Sequence, residues 1–506
     1  MNDNTIHLLN TIDELKALVL QLEARHQDDK NRYHQLLEQF RLAQHNRFGK
    51  SSESQPAQLD LFNEVEEEIV TDSADDEQTI SYTRKKPTRQ RLPDDLPRTV
   101  IIHDIEDKTC DCCGHELHEL HEMGRDISEK LEFIPAKVEV TQHVRPKYAC
   151  RHCDTQGITT IIKQAPVPAS PIPKGIATSS LLAQIITAKY QYSLPLYRQE
   201  TLFQQWGIII GRRTMADWLI KCAVLFTPLY DELRRIMLEQ PALHCDEATV
   251  KVLDVEKSTC YMWVYCSGSD TPSTNTLPGI VLYDYQPSRH GYHPVNFLEG
   301  YSGYLHTDGY KGYDQTHAVL VGCWAHARRR FIDAQRVQVK GKKGSADLAV
   351  NKIQKLYRIE ALLNGEPAQK KYAVRQEEAR PLLNEFREWL DNAALRVSPK
   401  TKLGEAISYT LNQWEKLIRY IDDGLLSIDN NRAERAVKPF VIGRKNWLFS
   451  ASTQGAQSSA MLYSIIETAK ANGLVPYDYI AHCLEYLCAT PGDIESVLPW
   501  NVKINV

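Results

Sequence analysis

The first regular pattern of apolar positions runs from residue 5 to about residue 48, with no Pro or Gly before Gly49, and predicts helix throughout. Leu8, Leu15 and Leu22 sit seven apart with Leu18 between them, the spacing of a short zipper seam. Further on, Tyr33, Leu36, Leu37 and Phe40 form a second stripe. A helix packed on its own protein and a coiled-coil dimerisation element both fit this spacing. The pattern then disappears. An acidic run from Glu64 to Glu77 is followed by a basic run from Arg84 to Arg91, the composition of a charged linker. Alternation returns briefly at residues 137–144, as in a strand. After a proline-rich join, residues 175–240 read as helical. There, residues 196–206 are amphipathic, Gly207 interrupts, and residues 212–224 resume, which is the helix-turn-helix plan. Arg212 and Arg213 fall at the start of the second helix, where phosphate and base-edge contacts are made.

From about residue 241 the period becomes that of strands. Residues 243–253, 260–266, 279–285, 303–308 and 318–323 read as five strands, with a short helix at 293–298 and another helix from Trp324. Three successive strands followed by a parallel return through a helix predict a mixed sheet flanked by helices. Residues 335–425 are helix-rich with few strand signals, and a further helix is predicted from about Asn430 to Val437, ended by Pro439.

Composition narrows the picture. At 506 residues, 42% of them hydrophobic, the chain is long enough for about three or four domains with buried cores. No apolar run approaches the roughly 18–20 residues that cross a bilayer, and the N-terminus lacks a basic region followed by an apolar one. We expect a cytoplasmic protein with no membrane partner. Of the 12 cysteines, Cys110, Cys113, Cys150 and Cys153 form two C-x-x-C knuckles, the spacing with which a zinc ribbon presents four thiolates to Zn²⁺. Cys112 is then a bystander. A net charge of −5 does not mark a nucleic-acid binder, so DNA contacts must come from local basic patches.

Three carboxylates stand out within the predicted sheet region. Asp246 lies in the first strand, Asp308 ends the fourth, and Glu434 belongs to the late helix. If the first and fourth strands are neighbours, the aspartates meet at one end, and a helix laid beside them brings Glu434 in. Converging carboxylates repel one another unless cations hold them, and hard oxygen ligands favour Mg²⁺ or Mn²⁺. Two such ions, about 3.5–4 Å apart, suit in-line phosphoryl displacement. Arg432, Arg435, Lys438, Arg444 and Lys445 bracket Glu434, and Arg328 and Arg329 follow the fifth strand, as a phosphate track would require.

Together these features resemble the insertion-sequence sixty-six family of bacterial transposases, over nearly the whole chain. The carrying motifs are His45-Asn-Arg-Phe-Gly-Lys-Ser-Ser-Glu53, the two-knuckle segment, His244-Cys-Asp246-Glu-Ala-Thr, Thr307-Asp308-Gly-Tyr310, Cys323-Trp-Ala-His326, Asp429-Asn-Asn-Arg-Ala-Glu-Arg435 and Ile442-Gly-Arg-Lys-Asn-Trp447. The resemblance implies a multidomain α+β chain with a ribonuclease-H-like mixed α/β catalytic core interrupted by a helical insertion. The residue patterns place before it an N-terminal helix (1–50) that either packs on its own protein or forms a coiled coil, a charged linker (51–100), a zinc ribbon (101–165) and a helical DNA-binding region (170–240). The core would then span 241–334 and 426–470, the insertion 335–425, and a family tail 471–506. The resemblance further implies a catalytic triad of Asp246, Asp308 and Glu434, with Cys323 and His326 supporting it. The expected activity is cleavage at the ends of an insertion sequence and 3′-end joining to target DNA. Expected partners are the element ends and target DNA, a second copy of the chain, and accessory proteins encoded by the same element. Two rivals are a nuclease of the same fold that does not join strands, and a silent transposase-derived DNA-binding regulator.

Overall fold

The structure, a computed structural model, describes residues 138–148, 163–256, 259–268, 278–338 and 344–503, with parts of 16–41. Cys110, Cys113, Cys150 and Cys153, the charged linker and Leu8, Leu15 and Leu18 lie outside the described residues. The chain divides into two units, residues 74–144 and the remainder. Of the smaller unit, residues 138–144 are described; they form no strand, although their alternation predicted one. Alternation is stable only where one face is covered, and Val138, Val140 and Val144 are all exposed. In the larger unit a two-residue ribbon follows instead, β1 (Lys147–Tyr148) pairing antiparallel with β2 (Lys163–Gln164).

The described residues within 16–41 are helical. Glu38 accepts the backbone N–H of Lys402 at 2.9 Å, and Arg41 donates to the Val337 carbonyl at 3.1 Å. This helix therefore packs on its own chain near residue 40, while Leu20, Leu22, Tyr33, Leu36 and Phe40 stay exposed. Four helices come next: α1 (Ser179–Tyr190), α2 (Leu196–Gln205), α3 (Arg212–Leu225) and α4 (Thr227–Leu238). Between α2 and α3, Gly207 takes φ +75°, a value that only glycine adopts without strain. Glu200 accepts the backbone N–H of Arg212 at 3.3 Å and closes the start of α3.

The central sheet has the order β5-β4-β3-β6-β7. Its strands are β3 (Ala242–Lys251), β4 (Thr259–Ser267), β5 (Val281–Gln286), β6 (Tyr304–His306) and β7 (Val319–Val321). The first three pair antiparallel; β6 lies parallel to β3, and β7 parallel to β6. The mixed sheet expected from the strand pattern is present, with the short helix α5 (Tyr292–Phe297) before β6. Each edge strand has backbone groups taken up by side chains. On β5, the Thr468 hydroxyl accepts from the Val281 N–H and donates to its carbonyl, and Ser464 accepts from the Tyr283 N–H. On β7, the Leu320 carbonyl accepts from Arg419.

After β7 the chain enters α6 (Trp324–Arg336) and then the helices α7 (Ser345–Leu362), α8 (Ala368–Val374), α9 (Arg380–Ala394), α10 (Lys402–Asn412) and α11 (Trp414–Ile418). Their core gathers Trp324, Phe331, Phe386 and Trp414. A buried arginine, Arg375, fixes the return path. It pairs with Glu360 at 2.7 Å and donates to the carbonyls of Tyr420, Asp423 and Leu426. The chain then re-enters the sheet region as α12 (Asn431–Trp447), α13 (Thr453–Ala471) and α14 (Pro476–Ala489).

The predicted stop at Pro439 is corrected: α12 continues to Trp447 with Pro439 inside it. A helical proline disturbs the carbonyls one turn earlier. Here the Tyr283 hydroxyl donates to the Ala436 carbonyl within that turn. Val437, Phe440 and Val441 stay buried on both sides of the proline, so packing outweighs the local defect. No described helix is long and apolar enough to cross a membrane.

Candidate active site

Two short motifs with the same spelling, His244-Cys-Asp246 and His306-Thr-Asp308, lie on neighbouring parallel strands. The register pairs His244 with His306. The fourth strand ends at His306 and not, as expected, at Asp308, which lies in the turn that Gly309 continues. Side chains two apart on a strand share a face, so Asp246 sits on the same face as His244. The histidine rings stack at 4.2 Å and 12°, forming a floor next to the carboxylates. Asp246 accepts the Glu247 N–H at 2.8 Å, and Asp308 accepts the Tyr310 N–H at 2.9 Å. Gly309 turns the chain away at φ +90°, where a side chain would crowd the Tyr409 hydroxyl at 3.2 Å. That hydroxyl donates to the Asp308 carbonyl at 2.9 Å, so α10 braces the turn.

Glu434 projects from the first turn of α12 and is only 2% exposed. Neither carboxylate oxygen has a hydrogen bond. The His326 Nδ1 stands 3.4 Å from one oxygen and Arg329 3.8 Å from the other, both from α6. Asn430, fully buried, seats this helix. Its Nδ2 donates to the Cys245 carbonyl at 2.9 Å, its Oδ1 faces the His244 Nδ1 at 3.1 Å, and its backbone N–H reaches the Cys323 Sγ at 3.3 Å. Because the Asn430 oxygen faces the ring, the His244 Nδ1 carries the proton. One amide thus ties the Asp246 strand, the Glu434 helix and the start of α6 together.

Electrostatics record the convergence. Burial pushes the Asp246 carboxyl well above its usual range, and the charges of Glu247, Asp308 and Glu434 push it further. Burial raises Glu434 to about 7; Arg329 opposes this, while Asp429 and Asp308 add to it. His326 is lowered to about 4 by burial and then by Arg329, so its imidazole is neutral. The buried Glu434 oxygens, which lack hydrogen bonds, are what a cation would satisfy. Hard carboxylate oxygens such as those of the aspartates suit Mg²⁺ or Mn²⁺.

The predicted basic residues divide. Arg212 and Arg213 are exposed at the start of α3, and Lys445 is exposed on α12. Lys438 and Arg435 are half-buried. Arg328, expected to contact DNA, is 2% exposed and so lies inside the fold, a correction that follows from its position on the inner face of α6. Arg432 donates to the Ser267 carbonyl at 2.8 Å, and Arg444 to the Thr249 hydroxyl at 2.8 Å, so both hold α12 to the sheet. Sequence reasoning missed Asn430, His244, His306 and Tyr409. The repeated His-x-Asp was visible; the tyrosine, from a distant helix, left no signal. Glu247, on the opposite face from Asp246, is satisfied by Tyr313 and Arg289 at 2.6 Å each.

A mixed sheet and a flanking helix that gather buried carboxylates beside a Cys-x-x-His element define an α+β domain with a candidate metal centre. The chain belongs to the transposase IS66 family: the family model of that description matches residues 174–458. Others match in register along the chain: "zinc-finger binding domain of transposase IS66" over 107–154, "Transposase C of IS166 homeodomain" over 35–101 and "IS66 C-terminal element" over 464–500. Two similar proteins of Sinorhizobium fredii (strain NBRC 101917 / NGR234) are y4hP and y4jD. The first is 32% identical over 486 residues, 90% of this chain and 86% of its own length. The second is 33% identical over 428 residues, 81% of each. Both carry the description "uncharacterized protein".

Proposed function

We propose that this chain is the DDE transposase of an insertion sequence, binding the element's ends, cutting there and joining the freed 3′ ends to target DNA. The observation that carries the reading is Glu434, buried with neither oxygen hydrogen-bonded and near enough to Asp246 and Asp308 for their charges to act on one another. In this reading the sheet and α12 form a ribonuclease-H-like core, with 335–425 as its insertion, and Asp246, Asp308 and Glu434 hold two Mg²⁺ or Mn²⁺ ions. Bound there, such ions polarise an attacking oxygen and stabilise the leaving one. The protein's own part is positional. Asp246 presents its oxygens from β3, Asp308 from the turn after β6 and Glu434 from α12, and Arg329 is at hand for phosphate charge once Glu434 is engaged.

The remaining assignments belong to the same proposal. Cys110, Cys113, Cys150 and Cys153 hold Zn²⁺ in a ribbon. Arg212, Arg213, Arg435, Lys438 and Lys445 touch DNA phosphates. The active complex pairs two element ends through at least two copies of the chain, in the bacterial cytoplasm and with help from proteins of the same element. The test incubates the full chain with labelled element-end duplexes and Mg²⁺ or Mn²⁺. Asp246→Asn is expected to abolish nicking and joining while binding ends as the parent does. Joined product from that variant would exclude the assignment.

A further inference from the structure

The motif Cys323-x-x-His326 offers two metal ligands and no third nearby in the sequence. The fold brings a third. One donor atom from each of Cys323, His326 and Glu434 lies within 4.8 Å of the other two. We infer that these three residues form a binding site for a soft divalent transition ion such as Zn²⁺, which shares Glu434 with the aspartate site.

Four observations support this. First, the donors are a thiol, an imidazole and a carboxylate, a set that selects zinc or cobalt over magnesium. Second, the His326 Nδ1 and both Glu434 oxygens are buried without a hydrogen bond, and a cation would supply what they lack. Third, the His326 Nδ1 to Glu434 Oε1 separation is 3.4 Å. Two ligands at about 2.0–2.1 Å from a tetrahedral zinc stand about 3.3–3.4 Å apart, so this pair is already at the spacing of one tetrahedral edge. Fourth, the sulfur is held in place: Cys323 stands at the N-cap of α6, and its Sγ accepts the Asn430 N–H at 3.3 Å. N-cap and third helical position share a side of the first turn, which explains why the spacing is Cys-x-x-His. Three protein ligands leave a fourth position for water, the arrangement of an open zinc site.

Sharing has a consequence, which rests on the proposed role of the aspartates. An ion on Cys323 and His326 draws on Glu434 and competes with hard ions that need the same carboxylate. Linkage of this kind is reciprocal, with a coupling on the order of tenfold.

The test uses the full chain, freed of zinc and refilled with Co²⁺, reading the thiolate-to-cobalt charge-transfer band, to which the ribbon thiolates contribute equally in every variant. The band assigned to this site is the part lost in both Cys323→Ser and His326→Gln. Serine keeps the helix cap, and a thermal melt checks that each variant is folded. Asp246→Asn is expected to keep the band, so the result does not depend on catalysis. Identical cobalt spectra in the parent and Cys323→Ser would overturn the site. Mn²⁺ affinity measured with and without bound zinc then tests the sharing: weakening of about tenfold supports it, and unchanged affinity overturns it.

Discussion

Asp246 lies within β3, paired with Val264 of β4, and Asp308 follows two residues after the end of β6, next to Thr307, whose N–H donates to the Val321 carbonyl. Glu434 rides instead on a helix whose seat depends on side chains: the Asn430 amide, the Cys323 sulfur and the packing of Val437 and Phe440. A ladder spreads its load over many equivalent bonds, so one changed side chain barely moves it. A helix seated by a few side chains concentrates that load on each of them. The difference makes the place of Glu434 more sensitive to a single side-chain change than that of Asp246. The neighbours of Glu434 are consistent with this, since His326 and Arg329 approach it without hydrogen-bonding it.

Asn430→Ala attacks the weaker side of the comparison. It leaves the Cys245 carbonyl and the His244 Nδ1–H buried and without this partner, at about 1–3 kcal/mol each. We expect strand joining to fall by about a hundredfold, equivalent to about 2.7 kcal/mol, with end binding kept. A rate within about threefold of the parent (~0.7 kcal/mol) would remove Asn430 from the account.

Acidity probes the same contrast with a smaller effect. Glu434 is raised from 4.5 to about 7, so it favours folding while protonated, and that contribution is lost as pH rises through about 7. Without divalent ions the melting temperature should fall between pH 5 and pH 8, and Mg²⁺ should stabilise more at pH 8 than at pH 6. Glu434→Gln should flatten the fall. A parent protein whose melting temperature is flat over this window would contradict the shift.

The smallest effect is expected on the strand side. Tyr409→Phe removes the hydroxyl that braces the Asp308 carbonyl, worth about 1 kcal/mol. Joining should slow about fivefold, because β6 and its pairing still hold the aspartate. A loss as large as that of Asn430→Ala would show that the insertion, more than the ladder, positions Asp308.

Much of this was legible from residues alone. The strand periods located the five core strands to within a few positions, since a half-buried strand alternates whatever surrounds it. The two aspartates and Glu434 stood out because they were acidic in apolar or strongly basic surroundings. What was not legible depended on distant partners. Pro439 read as a stop because its neighbours do not reveal that Tyr283 supplies a hydrogen bond to that turn. Arg328 read as a DNA ligand because a run of three arginines hides which one faces inward. The strand expected at 137–144 failed for the same reason in reverse: its valines found no covering face among the described residues.

The most direct check is a calorimetric titration of Mn²⁺ at pH 8 into the full chain holding zinc in its ribbon alone, for the parent and for Glu434→Gln. We expect the parent to bind Mn²⁺ with saturable affinity and the variant to bind it at least about thirtyfold more weakly, a loss of about 2 kcal/mol. Equal affinity in the two proteins would mean that the glutamate does not hold a metal with the aspartates, and the proposed centre would be wrong.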